Sequence, residues 1–533
     1  MMPAGTGEPG AAAREDTVDP GVLDEFRDPT ALPLASERKL SEPRAAQWQG
    51  YVIGAGMVGY GIMVVFGVVS GTFELIDAIP LIPILALVTS RIANRLARAD
   101  GNPATVRFIL AAFWAKMLGS LVRAAVTAWY YGNRSDALDY HRFGQAYAPQ
   151  FRTFDFSAVP DLKGSNFMRF MTGVIYAVTG SSSVSGAIVL SFLSFLGSIL
   201  LWRAFKRAVP GGEVYRYGLL IFFLPSLLYW PAALGKEGWA LLCLGVLSYG
   251  VALAVTGNIL PGVLLFLAGV AGVVEMRPHV ALVAFFGVLL AAIVGRARKP
   301  GSGSLLLRVI LFAGLAVLGV MLFQSTSSFF GVESIAQEGG ANAAFANAEG
   351  RTSEAGSAFS PVTVGTNPLK YPLAAATVLF RPFPFEVGNP IAALTALEGV
   401  FLIVLAVRER ARLRSIGRQM RRSPYVAYCL GTVLMFIYAF SALSNFGILA
   451  RQRCQVLPFF LVLLCLPRWE REGFVSTDEA IAGRDVPAAP IPDLVAPSPY
   501  DLRVDRADSG DPYAGADLGT DPYERFLPRR PAR

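Results

Sequence analysis

Apolar residues in this chain come in long unbroken blocks, not in the stripes of a soluble amphipathic helix or the alternation of a half-buried strand. The blocks run roughly 15 to 24 residues, near the ~20 that carry a helix across ~30 Å of hydrocarbon. Continuous apolarity excludes strands as spans, because a lipid-facing barrel strand alternates. The pattern predicts an all-α, polytopic transmembrane helix bundle of about twelve spans. The first is near Tyr51–Ser70, and a Pro-broken second ends near Ser90. Others lie near Phe108–Tyr131, Ser183–Trp202 and Tyr217–Trp230. Three more turn near Thr256, at Glu275 and at Arg296, followed by Leu305–Phe323, Pro390–Val407, Val426–Leu443 and Cys454–Pro467.

Charge orients the bundle. Arginines and lysines gather in alternate short loops: Arg91, Arg95 and Arg98; Arg203, Lys206, Arg207 and Arg216; Arg296, Arg298 and Lys299; and the run from Arg408 to Arg422. The positive-inside bias makes these loops cytoplasmic, with both termini on the same side. Two long loops, residues 132–181 and 324–389, then face outward. Within the first, Asn166–Val178 reads as an interfacial helix. Residues 1–47 and 468–533 are polar, Pro-rich and without apolar periodicity. They read as disordered cytoplasmic tails around a transmembrane domain at 48–467, with no cleavable signal peptide. The C-terminal tail repeats Asp-Pro-Tyr at Asp511 and Asp521, either as plain solvated chain or as a short motif for a cytoplasmic partner.

Composition agrees. Of 533 residues 53% are hydrophobic and 16% charged, with a mean hydropathy of +0.48; soluble chains carry about a quarter charged residues. The net charge of +8 sits in loops between apolar blocks, so it is topological and implies no nucleic-acid face. The four cysteines, Cys243, Cys429, Cys454 and Cys465, lie in or beside apolar blocks and have neither disulfide-framework nor zinc spacing. No metal ligand set is assigned, and dependence on a divalent metal is left open.

The remaining polar residues sort to the outward ends of spans. Asp136, Asp139, His141, Lys236, Glu237, Glu275, Arg277, His279, Arg381, Glu386, Arg451 and Arg453 all fall there, including both histidines of the chain. Ionisable groups at the edge of hydrocarbon are costly unless paired or facing a wet cavity. Arg123 lies about two turns inside its span and needs a partner, either Glu398 or a lipid phosphate. Each residue also has a plainer reading. Arg451 and Arg453 can anchor a helix at headgroups, Lys236 and Glu237 can form an interfacial ion pair, and Asp136 and Asp139 can cap a loop helix. Taken together, both signs on one face suit an anionic, polar ligand arriving from the bilayer. Arg and Lys neutralise phosphate, and a carboxylate can take the proton of an attacking hydroxyl.

The pattern Asp136-Ala-Leu-Asp139-Tyr140 in a first large outer loop resembles the acidic loop of GT-C class glycosyltransferases. The long outer loop before span ten and the outward arginines resemble O-antigen polymerases and ligases. The resemblance implies an enzyme of the bacterial cytoplasmic membrane that moves sugar units from a polyprenyl-linked donor to a glycan acceptor for envelope or exopolysaccharide assembly. Asp136 or Asp139 is then the base, with His141 beside it. Arg123, Lys236, Glu237, Glu275, Arg277, His279, Arg381, Arg451 and Arg453 are the binding set. No Gly-rich phosphate loop opens a helix in the cytoplasmic segments, so the donor is expected to be lipid-linked and no soluble cofactor is implied. The alternative of another class is a transporter or lipid-linked oligosaccharide flippase, for which charges belong at the midplane.

Overall fold

A computed structural model describes residues 42–130, 136–295, 314, 316–322, 324, 340–353, 358–365 and 367–468. The two tails, the start of the first long loop, parts of the second and most of the ninth expected span lie outside the described residues. Among the described residues the chain is helical, with one isolated β-bridge between Ala358 and Asn445. Six helices are long and apolar enough to cross a bilayer, or seven if one bent pair counts as a single span. This is a membrane protein.

Helices α1 (Pro43–Ser70), α2 (Phe73–Ile76), α3 (Leu81–Asp100) and α4 (Ala104–Trp129) begin the chain. Helix α1 starts at Pro43, upstream of the expected Tyr51, because a proline at the first helical position lacks only an N–H that has no partner there anyway. It ends at Gly71, whose φ of +62° is left-handed and suits glycine. The first long loop is not loop at all over most of its length. It folds as two packed helices, α5 (Asp136–Phe151) and α6 (Ser165–Thr179), the second matching the helix expected over Asn166–Val178.

Helix α7 (Ser183–Ala208) follows. Then a proline divides the fifth expected span into α8 (Val214–Phe223) and α9 (Pro225–Tyr229). Leu224, preceding Pro225, is extended at ψ 129°, as the proline ring demands. Next come α10 (Lys236–Val255), α11 (Ile259–Val274) and α12 (Pro278–Val294). The second long loop also holds helices, α13 (Gly340–Ser353) and α14 (Tyr371–Phe380). Asn389 caps α15 (Pro390–Arg408), its side chain accepting from Ala392 N at 2.8 Å. The basic run folds as α16 (Arg410–Arg414) and α17 (Ile416–Arg422), and α18 (Pro424–Phe440) follows. The chain then turns 60° between α19 (Phe446–Arg453) and α20 (Leu457–Leu464).

Lipid is as apolar as leucine, so burial alone does not bring these helices together; close packing of small residues does. Helices α7 and α10 are the most buried of the long apolar helices, α1 and α3 the least. A Cβ at Gly197 would collide with the Leu241 carbonyl, and one at Gly245 with the Gly197 carbonyl, so α7 and α10 touch backbone to backbone. Helices α12 and α18 meet similarly, a Cβ at Gly431 falling 2.9 Å from Gly287 Cα.

Polar contacts then tie loops at each end. At the basic end Asp100 pairs with Arg203 (2.5 Å) and Lys206 (3.1 Å), and Arg207 donates to Thr256 at 2.7 Å. Buried Glu409 binds Arg216 and Arg412, both at 2.7 Å. Arg412 also donates to the Leu466 carbonyl and so holds the end of α20.

Candidate functional site

The other end is built around the first turn of α5, which presents three different faces. Asp136 and Asp139 occupy that turn, where carboxylates oppose the positive helix N-terminus. Asp139 is held by Arg169 of α6 through two parallel bonds, 2.9 and 3.1 Å. Arg169 is fixed in turn by Asn166 (2.8 Å) and lies 4.0 Å over the Phe143 ring. This pair clamps α5 to α6. Asp139 therefore serves the hairpin.

His141 points to another face. Its Nδ1 is 2.8 Å from the Tyr176 hydroxyl, and its Nε2 is 3.6 Å from Glu74. Glu74 accepts from Ser183 through both the backbone N–H (2.6 Å) and the hydroxyl (2.7 Å) at the start of α7. Burial pushes the Tyr176 phenol well above its ordinary range, so it stays protonated beside the imidazole.

Asp136 and Tyr140, four residues apart, face a third way. Asp136 meets Arg451 of α19 at 3.4 Å. Arg451 spans to Glu237 at the start of α10, at 3.3 Å. Glu237 is 3% exposed and also pairs with Arg277 at 2.7 Å. Arg277, just before α12, is completed by Gln452 at 2.9 Å, which accepts again from Gln455 at 2.8 Å. Lys236 donates to Ser165 at 3.1 Å, joining α10 to α6. Asp136, Glu237, Arg277 and Arg451 thus converge from far-separated stretches of sequence. Glu237 is the centre of this set, since its negative charge compensates two guanidinium groups in a place that water scarcely reaches.

Beneath α5 lies a cavity of about 600 Å³. Its walls are largely apolar: Ile62, Met63 and Phe66 from α1, Leu121 and Ala124 from α4, and Val184 from α7. Arg123, Glu74 and His141 are its ionisable lining, while Ala137 and Leu138 of α5 close one side. Ala233 and Leu234, just before Lys236, also line it, so the cavity and the charge cluster share a border of α5 and the 233–237 segment. Arg123 donates to the Tyr229 hydroxyl at 2.5 Å and lies 4.5 Å from the Tyr229 ring centroid and 5.1 Å from that of Trp230. Arg123 thus meets the chain after the proline break, while Glu398, one of its two expected partners, accepts from Ser226 N. Lys116 and Ser120, on the same face of α4, reach the same segment through the Leu227 and Ala232 carbonyls.

The other predicted residues lie apart from this cluster. Arg381 pairs with Glu386 (2.5 Å) and stacks 4.4 Å over Phe359, within the second long loop. Arg453 is fully buried and donates to the Leu379 and Arg381 carbonyls, at 3.1 and 2.9 Å. It supports the loop from below and is no headgroup anchor. His279 is buried edge-on against Phe440. Glu275 is exposed, and its backbone carbonyl accepts from Gly164 at 2.6 Å. Glu398 accepts from Ser226 N at 2.6 Å and caps α9 after the break.

Sequence reasoning missed Glu74, Arg169, Tyr176 and Gln452. Arg169 sits four residues into an amphipathic helix, where a cation facing the acidic turn of its neighbour was the available signal. Glu74 had only its place in a short turn. Among the described residues no three His, Cys, Asp or Glu side chains gather as a metal site. No family model, curated protein or solved structure matches this chain.

Proposed function

We propose that this protein is a glycosyltransferase or polysaccharide polymerase of the bacterial cytoplasmic membrane that draws sugar units from a polyprenyl-linked donor at the outer face. The proposal takes about twelve spans with both termini cytoplasmic: the six long helices, the four shorter apolar helices, the bent pair, and the ninth expected span, most of which lies outside the described residues. The observation that carries it is the double role of the first turn of α5: it bounds a largely apolar cavity whose ionisable lining is Arg123, Glu74 and His141, and it sets Asp136 against the Arg451–Glu237–Arg277 cluster. An isoprenoid chain needs an apolar bed, its phosphate needs a cation, and the sugar needs polar groups just above. All three requirements adjoin here.

In the proposed step Asp136, whose side chain is 62% exposed, accepts the proton of an acceptor hydroxyl. That oxygen bonds to the anomeric carbon as the bond from carbon to the phosphate oxygen breaks. The departing lipid phosphate keeps the electron pair, and Arg123 or Arg451 stabilises its charge. Asp139 takes no part, being spent on Arg169.

The test is transfer of labelled sugar from a polyprenyl-linked donor in membranes holding the Asp136→Asn and Asp139→Asn variants. Loss of a general base costs about 100- to 10,000-fold, so Asp136→Asn should fall by that much and Asp139→Asn far less. Full activity in both variants and in the double variant refutes the base.

One observation favours the transporter reading. Two helices are interrupted, α8–α9 and α19–α20, and buried charge sits at both breaks: Glu398 of α15 caps α9, and Arg453 ends α19; broken helices with buried charge typify transport sites. Flux of a lipid-linked sugar across proteoliposomes without any bond formed to an acceptor would select it.

A further inference from the structure

Helix α3 carries a stripe that the proposed chemistry does not use. Ile84, Leu87, Val88, Arg91, Arg95 and Arg98 follow at the three- and four-residue steps that keep side chains on one helix face. All six are exposed. The lower half is apolar and the upper half is three guanidinium groups.

The upper half borders a cavity of about 780 Å³, lined by Arg91, Asn94, Arg95 and Arg98 of α3, by Pro103 of the turn and by Val106 of α4. Its floor is set by the tight turn between the helices. Gly101 is left-handed at φ +63°, and the Asn102 side chain accepts from Ala104 N at 3.0 Å. Asp100, the nearby acid, is already taken by Arg203 and Lys206. Among the described residues no carboxylate pairs with Arg91, Arg95 or Arg98; Arg98 instead donates to the Asn94 carbonyl of its own helix at 3.3 Å. Three like charges seven residues apart at most, on one helix face, repel one another unless an anion sits between them.

We infer that this groove binds the headgroup of an anionic phospholipid, with an acyl chain lying along Ile84, Leu87 and Val88. The charge calls for a phosphodiester, which arginine forks bind bidentately. The apolar continuation along the same stripe selects a lipid over a free phosphate or an acidic peptide, neither of which has a chain to lay there. A zwitterionic lipid offers the phosphate but no net charge. The site lies at the basic end of the bundle, linked through Asp100 to α7, and is separate from the cavity beneath α5.

The experiment is titration of the full-length protein in detergent with phosphatidylglycerol or phosphatidylcholine, bound lipid being counted by native mass spectrometry. Each basic residue at a lipid surface changes affinity by about fivefold, so R91Q/R95Q/R98Q should weaken phosphatidylglycerol about 100-fold. The control R410Q/R414Q/R421Q removes the same charge from exposed positions on another loop and should change it less than about threefold if the groove is specific. Leu87→Asp, which leaves the arginines in place, should weaken phosphatidylglycerol without altering the binding of inorganic phosphate. Equal losses in the two triple variants overturn the site in favour of diffuse attraction. Phosphatidylcholine binding as tightly as phosphatidylglycerol, or inorganic phosphate displacing the lipid at equal concentration, overturns the choice of ligand.

Discussion

Replacing Glu237 by Gln tests whether the charge cluster is a coupled unit. Glu237 is 3% exposed and lies 2.7 Å from Arg277 and 3.3 Å from Arg451. The amide keeps the shape and removes the charge. Arg277, 6% exposed, is then left with Gln452 and an uncompensated positive charge. Arg451, 34% exposed at its side chain, keeps Asp136 and water. Breaking a buried ion pair from one side costs about 3–5 kcal/mol, and Glu237→Gln should reach that range. Arg277→Gln should cost less, because Glu237 retains Arg451; Arg451→Gln should cost least. The double variant Glu237→Gln/Arg277→Gln removes both charges, and it should recover at least about 2 kcal/mol of the summed single losses. The assay is equilibrium unfolding in mixed micelles followed by tryptophan fluorescence, with Trp239 two residues from the substituted position reporting locally. A coupling below about 0.5 kcal/mol, or a loss in Arg451→Gln as large as in Glu237→Gln, refutes the reasoning.

Two other outcomes follow from packing and pairing. Gly197→Leu drives a side chain into the Leu241 backbone where α7 and α10 touch, and should cost about 3 kcal/mol or prevent folding; the same change at Gly50, which has open space around it, should cost under about 1 kcal/mol in the same unfolding assay. Asp139→Asn breaks a pair whose side chains are 42% and 26% exposed, so its cost should stay near 1 kcal/mol. A loss matching Glu237→Gln would show that the α5–α6 clamp matters more than its exposure implies.

The sequence revealed most where a single physical term dominated. Long apolar blocks announced the helices, but not the break at Pro225 within the fifth block, where the proline ring holds Leu224 extended. That Asp136, Glu237, Arg277 and Arg451 share one end was legible because charge at the edge of hydrocarbon has few places to go. Which of them touch was not legible, since a pairing such as Asp136 with Arg451 depends on the tertiary path of everything between. Arg381 shows the limit: it has the same composition signal as Arg451, yet its own loop supplies Glu386 five residues on, and local pairing won. In the first long loop α6 was legible as an interfacial helix over Asn166–Val178, but α5 read as polar connection because it carries no long apolar run; the two are held by mutual packing such as Gly173 against Tyr147 and Phe151. Arg123 was read as needing Glu398 or a lipid phosphate; within the protein a tyrosine hydroxyl and two aromatic faces meet it, a contact that its place in the sequence did not announce.

The most direct measurement is photolabelling of the full-length protein in nanodiscs with a polyprenyl phosphate that carries a diazirine on its first isoprene units, followed by peptide mapping. The account predicts labels on residues 59–66 of α1 and 121–129 of α4, suppressed by an excess of unmodified polyprenyl phosphate and by Arg123→Gln. Labels spread over the outward apolar faces of α1, α3 and α15, unaffected by competitor, would contradict it.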